Sequence, residues 1–466
     1  MKTQIAILAA ICLSILTNLN AQTADRQIAE TGLTVYNDGF AVVRQNRNIT
    51  FKKGINKILF TDVAQFIDPT TVNFKSLSAP AGISILEQNY EYDLVNQTSL
   101  LERYLDKTIT VNLRGGGADT GTSITGTLLA HSGNNLTIKD AQNTIKIIND
   151  ESIEAIDLME MPDDLVTKPT LVWLAQSEAQ GTQLCRVTYT TAAIRWNADY
   201  SAVLNADETH LDFTGWVTID NKSGATYKDA VIKLVAGDVR RIKKRPYPMY
   251  EVMALGGEAP GRKKQFEEKP FMEYHLYKLL RKSTINNNQV KQIEFIPPAV
   301  DVPVKKLYIY DRSKIKDKVQ IKIEFENTRQ NHLGIALPKG TVRVFKKDPA
   351  DDNLEFAGED AIDHTPQKEK LSLYIGNAFD IVPEYTLVES KPSRRMRTET
   401  HKIELRNRKD KDVTIFVDEK FPPRCSWNID RSTHKYERKD ARTARFEVII
   451  KADSTQTVQY SATQKW

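Results

Sequence analysis

One stretch of the sequence, Leu211 to Val239, restricts the possible folds more than any other. Apolar or small residues alternate with polar ones from Leu211 to Asp220, which is the period-2 pattern of a strand with one buried face. Residues 221–224 are typical of a turn, and Ala230 to Ala236 is a second apolar run of strand length. The stretch therefore predicts two β-strands around a polar turn, which we interpret as a hairpin.

The same combination of an alternating strand and an asparagine-led turn occurs three times. The turns begin at Asn221, Asn327 and Asn407, so their spacings of 106 and 80 residues differ and exclude a tandem repeat of fixed period. We interpret the three occurrences as the early hairpins of several immunoglobulin-like sandwiches.

Residues 99–158 form a predicted unit with a different pattern. A helical turn or two leads into several short strands with small intervals between them, which is typical of a small closed β-barrel. The spacing is similar to that of SH3-like or Sm-like barrels. The glycines between residues 115 and 121 lack the Gly-Lys-Ser/Thr sequence of a phosphate-binding loop, so we expect a hairpin tip there.

The predicted fold class is all-β, with several β-sandwich or immunoglobulin-like modules and one small SH3/Sm-like barrel. The predicted segments are 1–21 (signal peptide), 22–98 (N-terminal β domain), 99–160 (small barrel), 165–390 (main sandwich, with an inserted basic loop at 240–270) and 391–466 (C-terminal immunoglobulin-like sandwich).

The first 21 residues predict export. Lys2 precedes the apolar run Ile5 to Leu16, and Ala21 supplies a small residue at a cleavage position. No other segment approaches the 18 uninterrupted apolar residues that a transmembrane helix requires. We therefore expect a protein of the periplasm or the cell surface without a transmembrane span.

The charge balance argues against a nucleic-acid partner. The chain has a formal charge of +5, and without Lys2 the 64 basic and 60 acidic residues leave +4. Cys185 and Cys425 remain after removal of the signal peptide. An exported protein permits a disulfide between them, but they could equally be two separate core residues.

A basic loop follows the opening stretch. Prolines and glycines punctuate it, so we expect it to be exposed. We favour the interpretation of a solvated linker, which would have no ligand. The alternative is a basic patch that binds an acidic glycan, a lipid headgroup or nucleic acid. The candidate binding residues are Arg240, Arg241, Lys243, Lys244, Arg245, Arg262, Lys263 and Lys264.

Two histidines have acidic neighbours. Glu273 and His275 share one face of a predicted strand, and His364 follows Asp363 and lies near Asp360. The candidate metal or acid–base residues are therefore Glu273, His275, Asp360 and His364, although such pairs are more often surface cross-strand contacts.

The familiar catalytic and cofactor motifs are missing from the sequence. It contains no HExxH, no Gly-x-Ser-x-Gly, no GxGxxG and no Walker loop. We accordingly predict no cofactor and assign no catalytic residue.

Six stretches together resemble a bacterial exported family, the domain of unknown function family 4139, whose relatives include proteins labelled mucoidy inhibitors. The stretches are Arg186 to Leu204, Gly215 to Val239, Glu273 to Leu279, Leu337 to Val344, Gly358 to Pro366 and Leu373 to Asp380. The resemblance implies an exported β-sandwich protein with an immunoglobulin-like C-terminal part and no agreed activity. The longer relatives carry a coiled-coil insertion where this chain has residues 99–158.

Two functions of different classes follow. The first is a non-enzymatic envelope scaffold whose sandwiches bind an envelope protein or a polysaccharide. The alternative is a metal- or carboxylate-dependent hydrolase of envelope polymers. The absence of catalytic motifs favours the scaffold, and the sequence gives no oligomeric state.

Overall fold

The computed structural model describes residues 22–23, 28–92, 97–114, 122–159, 167–237, 239, 266–271, 274–348 and 350–466. Strands make up 68% of the structure and helices 3%, in several separate sheets. The predicted all-β class is therefore confirmed.

The strands fall into four successive runs along the chain. The first run contains β1 (Gln22–Thr23), β2 (Ile28–Tyr36), β3 (Phe40–Phe51), β4 (Gly54–Thr61), β5 (Ile67–Ser76) and β6 (Ile83–Glu91). The second contains α1 (Gln97–Arg103), β7 (Thr108–Leu113), β8 (Ser123–Ser132), β9 (Asn135–Asp140), β10 (Ile145–Asn149), a 3₁₀ turn (Asp150–Ser152) and β11 (Ile153–Asp157). The third contains β12 (Thr170–Ser177), β13 (Gly181–Ala192), β14 (Ile194–Leu204), β15 (His210–Asn221), β16 (Tyr227–Ala236), β17 (Phe266–Phe271), β18 (Tyr274–Leu279), β19 (Ser283–Ile285) and β20 (Gln289–Pro303). The fourth contains β21 (Lys305–Tyr310), β22 (Gln320–Glu326), β23 (Gly340–Lys347), β24 (Leu354–Ile362), β25 (Lys370–Asn377), β26 (Ile381–Pro392), β27 (Met396–Asn407), β28 (Val413–Lys420), β29 (Ser426–Ser432), β30 (Tyr436–Asp440), β31 (Thr443–Ile450) and β32 (Thr455–Lys465).

Three sheets share the largest hydrophobic core. Their strand orders are β17-β18-β16-β2-β3-β13-β5 with β19 beside β16, β1-β4-β12-β6, and β20-β15-β14-β23-β24. The N-terminal strands belong to this unit, because β2 runs parallel to β16 with Leu33 opposite Ile232, and β3 pairs along the whole of β13. Strand pairing therefore continues from residues 22–98 into the main sandwich.

Residues 97–158 build a separate small core around α1 and one antiparallel sheet. The order is β10-β9-β8-β7-β11, so β7 pairs with both β8 and the last strand. Within the described residues β10 and β11 are not paired with each other. The expected small barrel is therefore an open five-stranded sheet, because its two edge strands do not complete the ladder.

The C-terminal sandwich combines two sheets around a second large core. The orders are β25-β22-β21-β28-β31-β30 and β26-β27-β32-β29. Strand β21 runs parallel to β28, with Tyr308 opposite Ile415. This sandwich consequently takes strands from residue 305 onward, well before the predicted start at residue 391.

The alternation of the opening stretch is confirmed, but its interpretation as a hairpin is wrong. Buried and half-buried residues alternate along all of β15, yet β15 pairs with β14 and β20, whereas β16 lies in a different sheet. The turns at Asn327 and Asn407 likewise connect strands of different sheets.

The physical reason lies in the asparagines themselves. Asn221, Asn327 and Asn407 are completely buried, and Asn221 donates from Nδ2 to the carbonyls of Ala225 and Asn286 at 2.9 Å each. A buried amide of this kind satisfies backbone groups where the chain passes from one layer to the other. The turns are therefore internal corners of the sandwiches.

Three smaller features complete the fold. Leu337 and Thr365 form an isolated bridge. In the acidic stretch 347–360, the residues from Leu354 onward belong to β24, which pairs with β23. Cys185 and Cys425 are both free, so they form no disulfide.

In the part of the chain that the structure describes, no helix combines the length and the apolar character needed to cross a membrane.

Candidate functional site

A cleft of about 1020 Å³ opens beside the β17–β18 hairpin. Its walls are this hairpin, the middle of β20 and the turn that follows β22. We call this space the cleft. Phe266, Tyr277, Leu280, Phe295, Leu333 and Ile335 supply most of its apolar lining. Its size and largely apolar lining are those of a ligand-binding site.

The floor of the cleft is an aromatic cluster. Tyr277 meets Phe295 edge-on, with ring centroids 5.0 Å apart and an angle of 83°, and Phe266 lies 5.6 Å from Phe295. All three side chains are buried. Because side chains two positions apart in a strand share a face, the burial of Tyr277 places His275 on the same side, nearer the mouth.

A carboxylate connects the hairpin to the opposite wall. Glu268 lies across the hairpin, in register with Tyr277. Its Oε1 is 2.8 Å from His275 Nδ1, and its Oε2 accepts a hydrogen bond of 3.2 Å from the backbone N–H of Ala336. Tyr277 donates its hydroxyl to the carbonyl of Ala336 at 2.9 Å. The backbone at Ala336 is thus held by both strands of the hairpin.

Burial raises the pKa of the Tyr277 hydroxyl, and the negative charge of Glu268 raises it further. The phenol therefore stays protonated and remains a hydrogen-bond donor to Ala336. Its role in the cleft is to hold the wall.

Asn327 fixes the turn that forms this wall. Its Nδ2 donates to the carbonyls of Ile335 (2.7 Å) and Pro366 (2.9 Å), and its Oδ1 accepts from Gly334 N–H at 2.9 Å. Gly334 has a φ of +79°, and a Cβ there would lie 2.7 Å from the backbone nitrogen of Arg329. Glycine is therefore required for the close approach of the two chain segments.

The rim of the cleft is polar and carries a positive charge that is exposed to solvent. Arg329 and His332 are exposed, and the Arg329 guanidinium has no hydrogen bond or ion pair with any described residue. Glu268 already binds His275 and Ala336, and Glu267 has an interaction of its own. The cleft is consequently suited to an apolar or aromatic group with an anionic end that pairs with Arg329.

The structure separates the candidate metal residues that it describes. His275 lies in the cleft, Asp360 on β24 accepts the N–H of Tyr374 at 2.7 Å, and His364 Nδ1 accepts the N–H of Lys339 at 3.2 Å. Among the described residues no three His, Cys, Asp or Glu side chains form a group that could hold a metal ion. Glu273 lies outside them, so the four-residue metal site stays a prediction.

The candidate basic loop cannot be placed in the same way. All eight of its residues, Arg240, Arg241, Lys243, Lys244, Arg245, Arg262, Lys263 and Lys264, lie outside the described residues. Their binding role stays a prediction.

Sequence reasoning missed Glu268, Tyr277, Asn327 and Arg329 as members of one site. A signal for the first two exists, because residues 266–279 contain two alternating runs that can pair as a hairpin. The sequence paired His275 with Glu273 on the same predicted strand, whereas Glu268, which contacts His275 in the structure, lies across the hairpin.

Comparison with known proteins adds no relative to this description. Neither a protein-family model nor a curated protein matches the chain.

Proposed function

We propose that the chain is an exported, non-enzymatic scaffold of the cell envelope that binds an envelope protein or polysaccharide, and that the cleft is its ligand site. The observation that carries the proposal is a cleft of about 1020 Å³ with an aromatic floor and walls held together at Ala336. At its rim lies Arg329, which has no ion pair within the described part of the chain. Such pre-formed concave sites bind ligands at little conformational cost.

A partner that fits the cleft presents an apolar or aromatic group next to a negative charge. The apolar part would lie on Phe266 and Phe295, and the charge would pair with Arg329. A protein segment with an aromatic residue beside a carboxylate has this chemistry, so among the two partner classes we favour an envelope protein.

Export is supported by residues 1–21 alone, through Lys2, the apolar run and Ala21. We expect the protein recovered from the cell envelope to begin at Gln22. N-terminal sequencing tests this directly, and recovery of the uncut chain in the cytoplasm would contradict it.

The cleft can be tested with 8-anilinonaphthalene-1-sulfonate, a probe with aromatic rings and one anionic group. We expect saturable binding to the folded protein, measured by fluorescence titration. Leu280→Asp places a charge on an exposed apolar wall, and Arg329→Gln removes the anion partner. Each change should weaken probe binding by about fivefold, which corresponds to about 1 kcal/mol.

Matched substitutions elsewhere control for non-specific effects. Leu354 is also exposed, at 42% against 59% for Leu280, and Arg431 is exposed and has no ion pair with a described residue. Leu354→Asp and Arg431→Gln should leave the titration unchanged. Equal effects of the cleft and control variants would refute the cleft as the probe site.

The hydrolase alternative is favoured by one observation. Because Glu268 engages Nδ1 of His275, the imidazole is oriented with its other nitrogen available for a metal ion or a proton transfer. This function requires bound metal or a second acid group beside His275. Stoichiometric zinc or calcium that disappears in His275→Ala would support the hydrolase over the scaffold, and its absence from both proteins would remove the metal-dependent form.

A further inference from the structure

The far end of the C-terminal sandwich gathers an unusual number of chain segments. The β26–β27 hairpin turns there, and Met396 at the start of β27 lies opposite Lys465 at the end of β32. Lys465 in turn lies opposite Ser426, the first residue of β29. Three segments, 390–397, 422–426 and 463–466, therefore meet at one end of the four-stranded sheet.

These three segments are basic and contain no acidic residue. We call their exposed cations the basic tip: Lys391, Arg394, Arg395, Arg397, Arg424 and Lys465. Lys391 pairs with Glu389 and Arg397 with Glu399 further along the strands. The other four side chains have no ion pair with any residue that the structure describes.

Two exposed apolar side chains lie among these cations. Met396 is 40% exposed and Trp466 51% exposed. The N–H of Trp466 donates to the carbonyl of Arg395 at 3.0 Å, which ties Trp466 to the hairpin turn. The Arg397 guanidinium lies 5.8 Å from the centre of the Trp466 ring. The tip thus combines a fixed aromatic residue with cations that no described acidic side chain neutralises.

This combination distinguishes between anionic partners. A soluble polyanion would be bound by the cations alone, and the exposed tryptophan and methionine would gain nothing. At a phospholipid surface the arginines contact phosphates, while Trp466 and Met396 enter the boundary between headgroups and acyl chains. The apolar and the basic residues then both gain from one partner.

We propose that the basic tip docks the protein on an anionic phospholipid bilayer. The occupant is the lipid surface itself. It is chosen by charge complementarity with the four cations that have no ion pair among the described residues, and by the two exposed apolar residues between them. This proposal is independent of the cleft, which is lined mainly by β17, β18, β20 and the turn after β22.

Co-sedimentation with vesicles tests the proposal. The probe is phosphatidylcholine with about one third phosphatidylglycerol, compared with phosphatidylcholine alone, at roughly 0.1 M salt. We expect binding to the anionic vesicles only. Arg394→Gln combined with Arg395→Gln should lower the partition coefficient about 25-fold, at roughly fivefold per lost charge near the surface. Trp466→Ala should lower it several-fold on the same vesicles.

The opposite end of β27 provides a matched control. Arg408 and Lys411 lie about 35 Å from the tip, at 3.3 Å per strand residue, and this is several Debye lengths. Arg408→Gln with Lys411→Gln makes the same change in net charge and should alter the partition coefficient less than twofold. Thermal unfolding confirms that each variant is folded.

Three results would overturn the proposal. These are equal binding to neutral vesicles, an equal loss in the tip and control variants, and binding to dextran sulfate without binding to anionic vesicles. The last result would assign the tip to a soluble polyanion.

Discussion

Each of the two sandwiches contains a histidine beside a carboxylate and a tyrosine, but in very different surroundings. His275 is 2.8 Å from Glu268 at the cleft, with 45% of its side chain exposed. His401 is 3.7 Å from Glu399 in the C-terminal sandwich, with 6% of its side chain exposed. The same residue types are accessible in one sandwich and enclosed in the other.

The enclosed histidine belongs to a network inside the C-terminal sandwich. Tyr385 O–H lies 2.8 Å from His401 Nδ1, and the His401 ring stacks on Tyr460 at 4.8 Å. Tyr460 donates to Glu419 Oε2 at 2.8 Å, and Arg312 lies 3.5 Å from the same oxygen. Burial raises the pKa of Glu419 against the pull of Arg312. His401, Tyr460 and Glu419 are buried, whereas Tyr385 and Arg312 are partly exposed at the edge of the network.

Residue types alone therefore do not make a site. Both groups of residues contain the elements of acid–base chemistry, but His275 lines a cleft with room for a ligand, whereas the side chain of His401 is buried.

The largest effect is expected at the corner asparagines. Asn407 donates to the carbonyls of Lys411 and Lys451, as Asn327 does to those of Ile335 and Pro366. Asn327→Ala and Asn407→Ala each leave buried carbonyls unpaired and should lower the free energy of unfolding by about 3 kcal/mol. Urea unfolding measures this loss.

Only Asn327 supports the cleft wall. Asn327→Ala should therefore also abolish binding of 8-anilinonaphthalene-1-sulfonate under conditions where the variant remains folded, whereas Asn407→Ala should bind it normally. If both variants lose the probe equally, the cleft is not a distinct site.

A smaller effect is expected at the paired tyrosines. Tyr277→Phe removes the hydroxyl that holds the Ala336 carbonyl, and Tyr460→Phe removes the donor to Glu419. Each should cost about 1–2 kcal/mol of unfolding free energy, because a buried acceptor loses its partner. Calorimetry gives the stability, and the same probe titration should be weakened in Tyr277→Phe alone. If Tyr460→Phe also weakened probe binding, the probe would not report on the cleft alone.

The smallest effect is a pH dependence at His401. Burial lowers the pKa of His401 below 6.5, assisted by Arg312 and opposed by Glu399. The unfolded chain therefore binds the proton more readily than the folded one, so the stabilisation is present above about pH 6.5 and is lost as the pH falls through the folded pKa.

The pH effect is measured as the difference between two proteins. Wild type and His401→Phe are unfolded with urea at about pH 7.5 and pH 5. Wild type should lose more stability between these values than the variant, and the raised pKa of Glu419 acts in both proteins. Equal slopes for wild type and His401→Phe would show that His401 does not titrate with unfolding.

The sequence predicted local structure better than it predicted partners. The alternation of Leu211 to Ile219 indicated which face of β15 is buried, because side-chain direction depends only on position in the strand. It could not indicate that β16 pairs with β2, about 200 residues away, since pairing depends on the core that both strands share. The sequence pattern identified the three asparagine-led turns, but it did not predict that the asparagines are buried.

The site was less accessible to prediction than the fold. His275 was a candidate from the sequence, but its contact with Glu268 depends on the register of a hairpin. Arg329 reaches the cleft through a turn that Asn327 and Gly334 define, and nothing near Arg329 in the sequence indicates the cleft. A site assembled from three separated segments needs their tertiary arrangement.

The most direct test of the cleft is a crystal structure of the protein with bound 8-anilinonaphthalene-1-sulfonate. We expect the aromatic rings of the probe to lie against Phe266 and Phe295 and its sulfonate to lie beside the Arg329 guanidinium. If probe density appears only at other surfaces, such as the basic tip, and solvent fills the cleft, the cleft is not the ligand site.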